Sequence, residues 1–116
     1  MEPIPLQGSP VIILAGASGD LGLRIAKSLL RRGAQVRALL RRGSNNNDAI
    51  SILQKLGASV IEVDYSQPAD LEQACSGGSC VISALSGLRD VIIVAQTNLL
   101  NAAVKAGVPR FIPSDY

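Results

Sequence analysis

The sequence contains no histidine and no tryptophan, and its aromatic side chains are two tyrosines and one phenylalanine. Without histidine, the chain lacks the commonest general base and the commonest metal ligand. Its two cysteines, Cys75 and Cys80, are five positions apart, which fits buried free thiols in a reducing compartment better than a disulfide framework. We therefore expect no catalysis at a bound metal ion.

The net charge is small, and the sequence has no long hydrophobic run. The formal net charge is +2, and the basic residues are spread along the chain without interleaved aromatic side chains, which disfavours a nucleic-acid or membrane surface. No apolar run reaches the roughly 18 residues of a membrane span. The N-terminal stretch "MEPIPLQGSP" has neither the basic start nor the apolar core of a secretory signal. The sequence predicts a cytoplasmic protein with no nucleic-acid or membrane partner.

Short runs rich in β-branched residues alternate with helical patterns along the 116 residues. The predicted strands are Val11–Ala15, Gln35–Leu40, Ser59–Asp64, Cys80–Ala84 and Arg110–Pro113. The predicted helices are Asp20–Arg32, Asp48–Leu56, Ala69–Cys75 and Asp90–Ala106. This alternation predicts an α/β fold of the Rossmann type, a doubly wound parallel sheet of five strands in the order 3-2-1-4-5.

The helices carry further local signals. Leu21, Ile25 and Leu29 are spaced to form one apolar stripe of the first helix, and Ser66 is placed to cap the third. The fourth helix is apolar over much of its circumference, and the sequence stops directly after the fifth strand. Because this leaves a sheet edge and an apolar helix face uncovered, we expect a piece of a longer protein that is able to form homo-oligomers through that edge.

The stretch "IILAGASGDLG" places three glycines at the junction of the first strand and first helix. Gly16 allows a sharp turn, Gly19 lets a pyrophosphate approach the helix N-terminus, and Gly22 lets the helix pack closely on the sheet. The hydroxyl of Ser18 adds a donor, whereas the carboxylate of Asp20 should point to solvent because it repels phosphate. A tight turn without a ligand is the alternative. The dinucleotide-binding residues predicted here are Gly16, Ser18, Gly19, Asp20, Leu21 and Gly22.

The end of the second strand reads "ALLRRGS", where an NAD-binding domain usually carries an acidic residue for the ribose hydroxyls. Arg41 and Arg42 offer two guanidinium groups to a 2′-phosphate, with no carboxylate there to repel it and with Ser44 as a helper. A solvated pair of charges at a strand end is the alternative. The sequence favours NADP(H) over NAD(H).

Three stretches resemble the NmrA-like or isoflavone-reductase-like family of atypical short-chain dehydrogenases. They are "ILAGASGDLGLRIAKSLLRRGAQVRALLRR", "VIEVDYSQPADLEQACSGGSCVISALSG" and "QTNLLNAAVKAGVPRFIPSDY". The resemblance covers essentially the whole chain, but only the first third to half of a typical family member. It implies an oxidoreductase with a nucleotide-binding domain over residues 1–116. It also implies that Asp64 lies near the adenine and that the backbone of Ser83, Ala84 and Leu85 passes under the cofactor ribose.

The sequence departs from the family pattern in two places. Family reductases often bring a lysine to the 2′-phosphate, but none lies between Arg42 and Lys55. Their catalytic lysine follows the fifth strand, and this sequence ends before that position. The Tyr-x-x-x-Lys pair of ordinary short-chain dehydrogenases is absent as well. Ser114 has no partner base and is interpreted as structural or as the edge of a substrate site, and Tyr116 is assigned no role. No catalytic residue is predicted.

Three functions fit this sequence. The first is the cofactor-binding portion of an NADPH-dependent reductase of a small metabolite, whose proton donor and substrate pocket lie in a longer parent. The second is a regulatory module that senses redox state by holding NAD(P). The third is a folded fragment that binds nothing well. The first is our preferred hypothesis, and whether the parent is an enzyme stays open, because an α/β fold alone does not decide function.

Overall fold

The computed structural model describes residues 10–43, 47–86 and 89–113. Ser44, Ser114 and Tyr116, which the sequence analysis considered, lie outside the described residues. The strands are β1 (Val11–Ala15), β2 (Gln35–Arg41), β3 (Ser59–Val63), β4 (Cys80–Ser83) and β5 (Phe111–Ile112). The helices are α1 (Asp20–Arg31), α2 (Asn47–Leu56), α3 (Pro68–Cys75) and α4 (Arg89–Lys105).

The five strands form one parallel sheet in the order β3-β2-β1-β4-β5. The predicted fold class and strand order are therefore confirmed. At the centre of the sheet, Ile13 of β1 is paired with Arg37 of β2 on one side and with Val81 of β4 on the other. Since every strand is parallel, all carboxyl ends meet at one edge, where such folds bind their ligands.

Alternation along the strands divides the core into two layers. Ile13 and Leu39 face α3 and α4, whereas Leu14 and Leu40 face α1 and α2. All four side chains are at most 1% exposed. Covering both faces of the sheet explains why the central strands are continuous apolar runs. Cys75 and Cys80 are free and buried, as the sequence predicted.

The apolar stripe predicted for α1 is wrong in one member. Leu21 is 61% exposed, while the buried residues of this helix are Gly22 and Ala26. The two small residues are one turn apart and let the helix approach the sheet, so the larger Ile25 and Leu29 pack at the flanks, partly buried.

The cap predicted for α3 is also wrong. The residue before the helix is Gln67, and no side-chain hydrogen bond caps it. The Ser66 hydroxyl instead donates to Oδ1 of Asp64 over 2.6 Å, and the Ser66 backbone N–H donates to the same oxygen over 2.9 Å. Ser66 lies one residue before the capping position and its hydroxyl donates to Asp64, so it closes a turn and does not cap the helix.

Helix α4 keeps large apolar side chains at its surface. Val94 is 60% exposed and Val104 is 67% exposed, and Val91, Ile93 and Leu100 are also exposed. The prediction of a helix that is apolar around much of its circumference is confirmed. Among the residues that the structure describes, no helix is both long enough and apolar enough to cross a membrane.

Candidate functional site

The turn from β1 into α1 is built around Gly16. Its φ of +75° lies in the left-handed region that glycine adopts readily. A Cβ on this residue would lie 2.6 Å from the carbonyl oxygen of Ala84 and 2.9 Å from the backbone nitrogen of Leu85. The fold therefore demands glycine at this position, because the segment after β4 packs directly against the turn.

The other two glycines differ in what the fold requires of them. A Cβ on Gly22 would collide with the carbonyl oxygen of Gly16 and would lie 2.8 Å from the Cα of Ala17. A Cβ on Gly19 would meet nothing closer than the Gly16 carbonyl oxygen at 3.7 Å, an ordinary contact. Gly19 also has an extended backbone, with φ −80° and ψ 170°. Packing thus explains Gly16 and Gly22 but leaves Gly19 unexplained.

The N-terminus of α1 begins at this turn. Gly19 occupies the capping position, and no side chain caps the helix there. The first backbone N–H groups of a helix lack partners within the helix, and together with the helix dipole they attract an anion. Asp20 turns its carboxylate outward, 93% exposed and 3.7 Å from the Arg24 guanidinium. The backbone N–H groups of Asp20 and Leu21 are among those at the N-terminus of α1, whereas the side chains of both residues are exposed.

A cavity of about 200 Å³ opens over this turn. It is lined by Gly16, Ser18, Gly19, Leu40, Arg41, Tyr65, Leu85 and Ser86. Ser18 and Ser86 are exposed and present hydroxyl groups. Backbone N–H groups, hydroxyls and one guanidinium around a small space suit phosphate oxygens.

A second cavity, of about 710 Å³, adjoins the first through residues that line both. It is lined by Arg41, Arg42, Asp64, Tyr65, Ser66, Asp90, Val91, Val94 and Ala95. The wall contributed by α4 is apolar at Val91, Val94 and Ala95 and carries one carboxylate, Asp90, and the loop after β3 supplies further carboxylate and hydroxyl groups. The two cavities share Arg41 and Tyr65. A ligand with a polar and an apolar part could therefore occupy both.

The two arginines at the end of β2 differ in their contacts and positions. Arg42 donates to the carbonyl oxygen of Glu62 over 3.0 Å and pairs with Oδ2 of Asp70 at 3.4 Å. The expectation that no carboxylate lies beside the arginines is therefore wrong, because α3 brings Asp70 to this edge. Arg41 ends β2 on the sheet face that it shares with Leu39, and it lines both cavities. The structure thus places Arg41 more centrally than Arg42.

Asp64 directly follows β3 and lines the larger cavity. Hydrogen bonds from the side chain and then the backbone of Ser66, with a smaller effect of the Arg42 charge, lower the pKa of its carboxyl group. Its backbone N–H donates to Oδ2 of Asp70 over 2.8 Å. The loop is thereby fixed with a charged carboxylate at the cavity.

The segment after β4 forms the side of the smaller cavity. Ser83, Ala84 and Leu85 are buried, and the Ala84 backbone N–H donates to the carbonyl oxygen of Ala15 over 2.9 Å. Leu85 lines the cavity, whereas Ser83 and Ala84 do not. The structure therefore brings Leu85 together with the glycine turn and Arg41, and Ala84 contributes through its backbone contact with Gly16.

Tyr65 was not among the residues predicted from sequence. Its side chain is 7% exposed, and within the described part of the chain its hydroxyl has no hydrogen-bond partner. Burial raises the pKa of the Tyr65 phenol to about 12. The backbone N–H of Gly16 lies near the phenol and acts to lower its pKa, but by geometry its hydrogen bond goes to the carbonyl oxygen of Leu39, over 3.3 Å.

Other lining residues were missed as well. Ser66, Ser86 and the α4 residues of the larger cavity carry no motif, but Ser66 and Ser86 follow the carboxyl ends of β3 and β4. That position alone could have identified Tyr65, Ser66 and Ser86. Across the described ranges, no group of three or more His, Cys, Asp or Glu residues could hold a metal ion.

A model of the NmrA-like family matches residues 9–116. The chain is 33% identical over 112 residues to pinoresinol reductase 1 of Arabidopsis thaliana, covering 90% of this chain and 35% of that protein. It is 32% identical over 108 residues to the photosystem II assembly factor Ycf39 of Cyanophora paradoxa, covering 87% of this chain and 32% of that protein.

Solved structures agree with this result. The structure of AtPrR2 with NADP⁺ and (+)pinoresinol matches with a TM-score of 0.83 and 28% identity, over 96% of this chain and 38% of the other. The chain thus spans about a third of the length of the curated relatives that it matches, which is 35% and 32% for the two named above.

Proposed function

The chain belongs to the NmrA-like family, and we propose that it forms the NADP(H)-binding portion of an oxidoreductase that acts on a small metabolite. The bound cofactor supplies hydride chemistry, and the protein supplies binding and orientation. Residues 1–116 would then belong to one NAD(P)-binding domain. The cytoplasmic location expected from the sequence stays a prediction.

Gly19 is the observation that carries this proposal. A Cβ atom on Gly19 would displace no atom of the protein, since its nearest neighbour would be 3.7 Å away. A glycine that the fold does not need, at an uncapped helix N-terminus, is accounted for by a ligand that comes close to the backbone. A dinucleotide pyrophosphate has the charge and the size for this position. The alternative of a turn without a ligand explains Gly16 and Gly22 only.

Arg41 supports the choice of NADP(H) over NAD(H). Arg41 lies at the end of β2 and lines both cavities. In folds of this type, the adenosine ribose of a dinucleotide, which joins the base to the phosphates, is bound at this strand end. A guanidinium group there can bind a 2′-phosphate in a bidentate manner. The related structure AtPrR2 with NADP⁺ and (+)pinoresinol supports the same cofactor.

The reaction itself belongs to the rest of the protein. The same portion is similar to a protein named as a reductase and to one named as an assembly factor. The geometry of the described residues supports a cofactor site, and we propose that the substrate pocket and the proton donor lie elsewhere in the whole protein. A small-molecule substrate is therefore proposed for the parent and not for this chain alone.

Calorimetric titration with NADPH and NADH tests the proposal, using the unmodified chain, Arg41→Ala and Arg42→Ala. We expect NADPH to bind more tightly than NADH. Arg41→Ala should weaken NADPH binding by roughly 10- to 100-fold, the effect of a lost charge-assisted hydrogen bond, and change NADH binding little. Arg42→Ala is the matched control and should have the smaller effect, because its guanidinium is held by Glu62 and Asp70.

Two results would contradict the proposal. If the unmodified chain binds neither nucleotide, the cofactor site is not functional in this chain. If Arg41→Ala weakens NADPH and NADH binding equally, Arg41 does not recognise the 2′-phosphate, and the preference for NADP(H) is wrong.

A further inference from the structure

Tyr65 is a buried side chain of the described site whose hydroxyl group the proposed function leaves unused. It follows Asp64 after β3, and its ring packs in the core layer formed with α3 and α4. Within the described residues, its hydroxyl is the buried side-chain polar atom that lacks a hydrogen-bond partner. Leaving a buried hydroxyl unpaired is unfavourable, so a phenylalanine would suit the protein core better.

The location of the ring indicates what the hydroxyl is for. Tyr65 and Arg41 are the residues that line both cavities. The smaller cavity is lined by the glycine turn, and α4 gives the larger one an apolar surface at Val91, Val94 and Ala95 beside the Asp90 carboxylate. In an adenine dinucleotide, the ribose joins the base to the phosphates, so it would lie where these two cavities meet.

We propose that the Tyr65 hydroxyl donates a hydrogen bond to an oxygen of the ribose–phosphate in the adenosine half of the bound nucleotide. This inference rests on the proposed function, and it adds a binding residue from the loop after β3 to those of the glycine turn and β2. The hydroxyl oxygen is covered by its neighbours, so the contact requires a local displacement of side chains.

The chemistry of the group fits a donor. Since burial raises the pKa of the phenol to about 12, the hydroxyl stays protonated at physiological pH. A neutral hydroxyl can approach phosphate and ribose oxygens without the repulsion that a carboxylate would cause. Tyr65 would therefore strengthen binding of the adenosine half and leave recognition of the 2′-phosphate to Arg41.

Tyr65→Phe tests this inference, since it removes the hydroxyl and keeps the ring. NADPH, NADH and adenosine 2′,5′-bisphosphate are titrated against the unmodified chain and the variant, and thermal unfolding is followed without nucleotide. We expect all three affinities to fall by a similar factor of about three to ten, the effect of one hydrogen bond. The thermal midpoint should stay the same or rise, because an unpaired buried hydroxyl is removed.

Ser51→Ala is the matched control, because it removes an exposed hydroxyl from α2 that lines neither cavity. It should leave every affinity unchanged. If the unmodified chain binds NADPH and Tyr65→Phe binds it equally well, the inference is wrong while the proposed function stands. A loss for NADPH without a loss for adenosine 2′,5′-bisphosphate would also overturn it, since the contact would lie outside the adenosine half. If the unmodified chain binds no nucleotide, the proposed function fails first.

Discussion

The carbonyl oxygen of Gly16 occupies the space that a side chain on Gly22 would need. The first turn of α1 therefore rests directly on the backbone of the loop that leaves β1. The buried Ala26, one turn further along, continues this close contact between helix and sheet. The helix N-terminus is held at the carboxyl edge of the sheet by this contact, which sets where a ligand can approach its N–H groups.

Gly22→Ala should destabilise the fold. The added Cβ would press on the backbone of Gly16 and Ala17, which cannot move aside as a flexible side chain would. We expect a loss of roughly 1–3 kcal/mol in the free energy of unfolding, in spite of the gain of about 1 kcal/mol in helix propensity. Urea denaturation measures this loss of unfolding free energy, with Gly19→Ala as the control. A Gly22→Ala variant as stable as the unmodified chain would contradict the close contact.

Arg37 should contribute to stability through α3. Its guanidinium, reaching from β2, donates to the carbonyl oxygens of Ala74 and Ser76, each over 2.7 Å. These carbonyls end the helix, and a cation there also complements the helix dipole. Arg37→Met, which keeps the apolar stem, should lower the free energy of unfolding by about 1.5–3 kcal/mol. Urea denaturation with Arg31→Met as a control for an exposed arginine checks this, and equal stabilities of the two variants would refute it.

Ser66→Ala should raise the pKa of the Asp64 carboxyl. The Ser66 side chain is the largest cause of the lowered pKa. Because the folded-state pKa is below its ordinary value of 3.8, this carboxylate stabilises the protein above that pH, and the stabilisation is lost as the pH falls through the lower value. The variant should therefore lose less stability on acidification. An NMR titration of the Asp64 carboxyl measures the shift, and an unchanged pKa would contradict the role of the hydroxyl.

The sheet was predictable because its signals are local. The strands are short apolar runs such as Val11–Ala15, and the helix ends are marked by glycine. The preference for right-handed crossovers limits the possible topologies, and the order 3-2-1-4-5 is the usual one of the Rossmann type. The element bounds differed from the prediction by at most one residue at each end, since strand and helix ends have weaker signals than their centres.

The side-chain arrangement of the site was less predictable. Leu21 has the spacing of a core residue, but the small Gly22 and Ala26 define the packing face of α1. The ion pair of Arg42 with Asp70 joins residues from separate elements, so no local pattern indicates it. The self-association expected from the apolar surface of α4 stays a prediction.

The most direct test of the glycine turn is NADPH titration of Gly19→Ala beside the unmodified chain. The backbone of Gly19 is one that alanine adopts freely, and its Cβ would have ordinary contacts. We therefore predict that the variant folds with unfolding free energy equal to or up to about 1 kcal/mol above that of the unmodified chain. Its NADPH affinity should be weakened at least about tenfold, because the methyl group would take the space of the pyrophosphate. A stable variant that binds NADPH as tightly as the unmodified chain would contradict the proposed site.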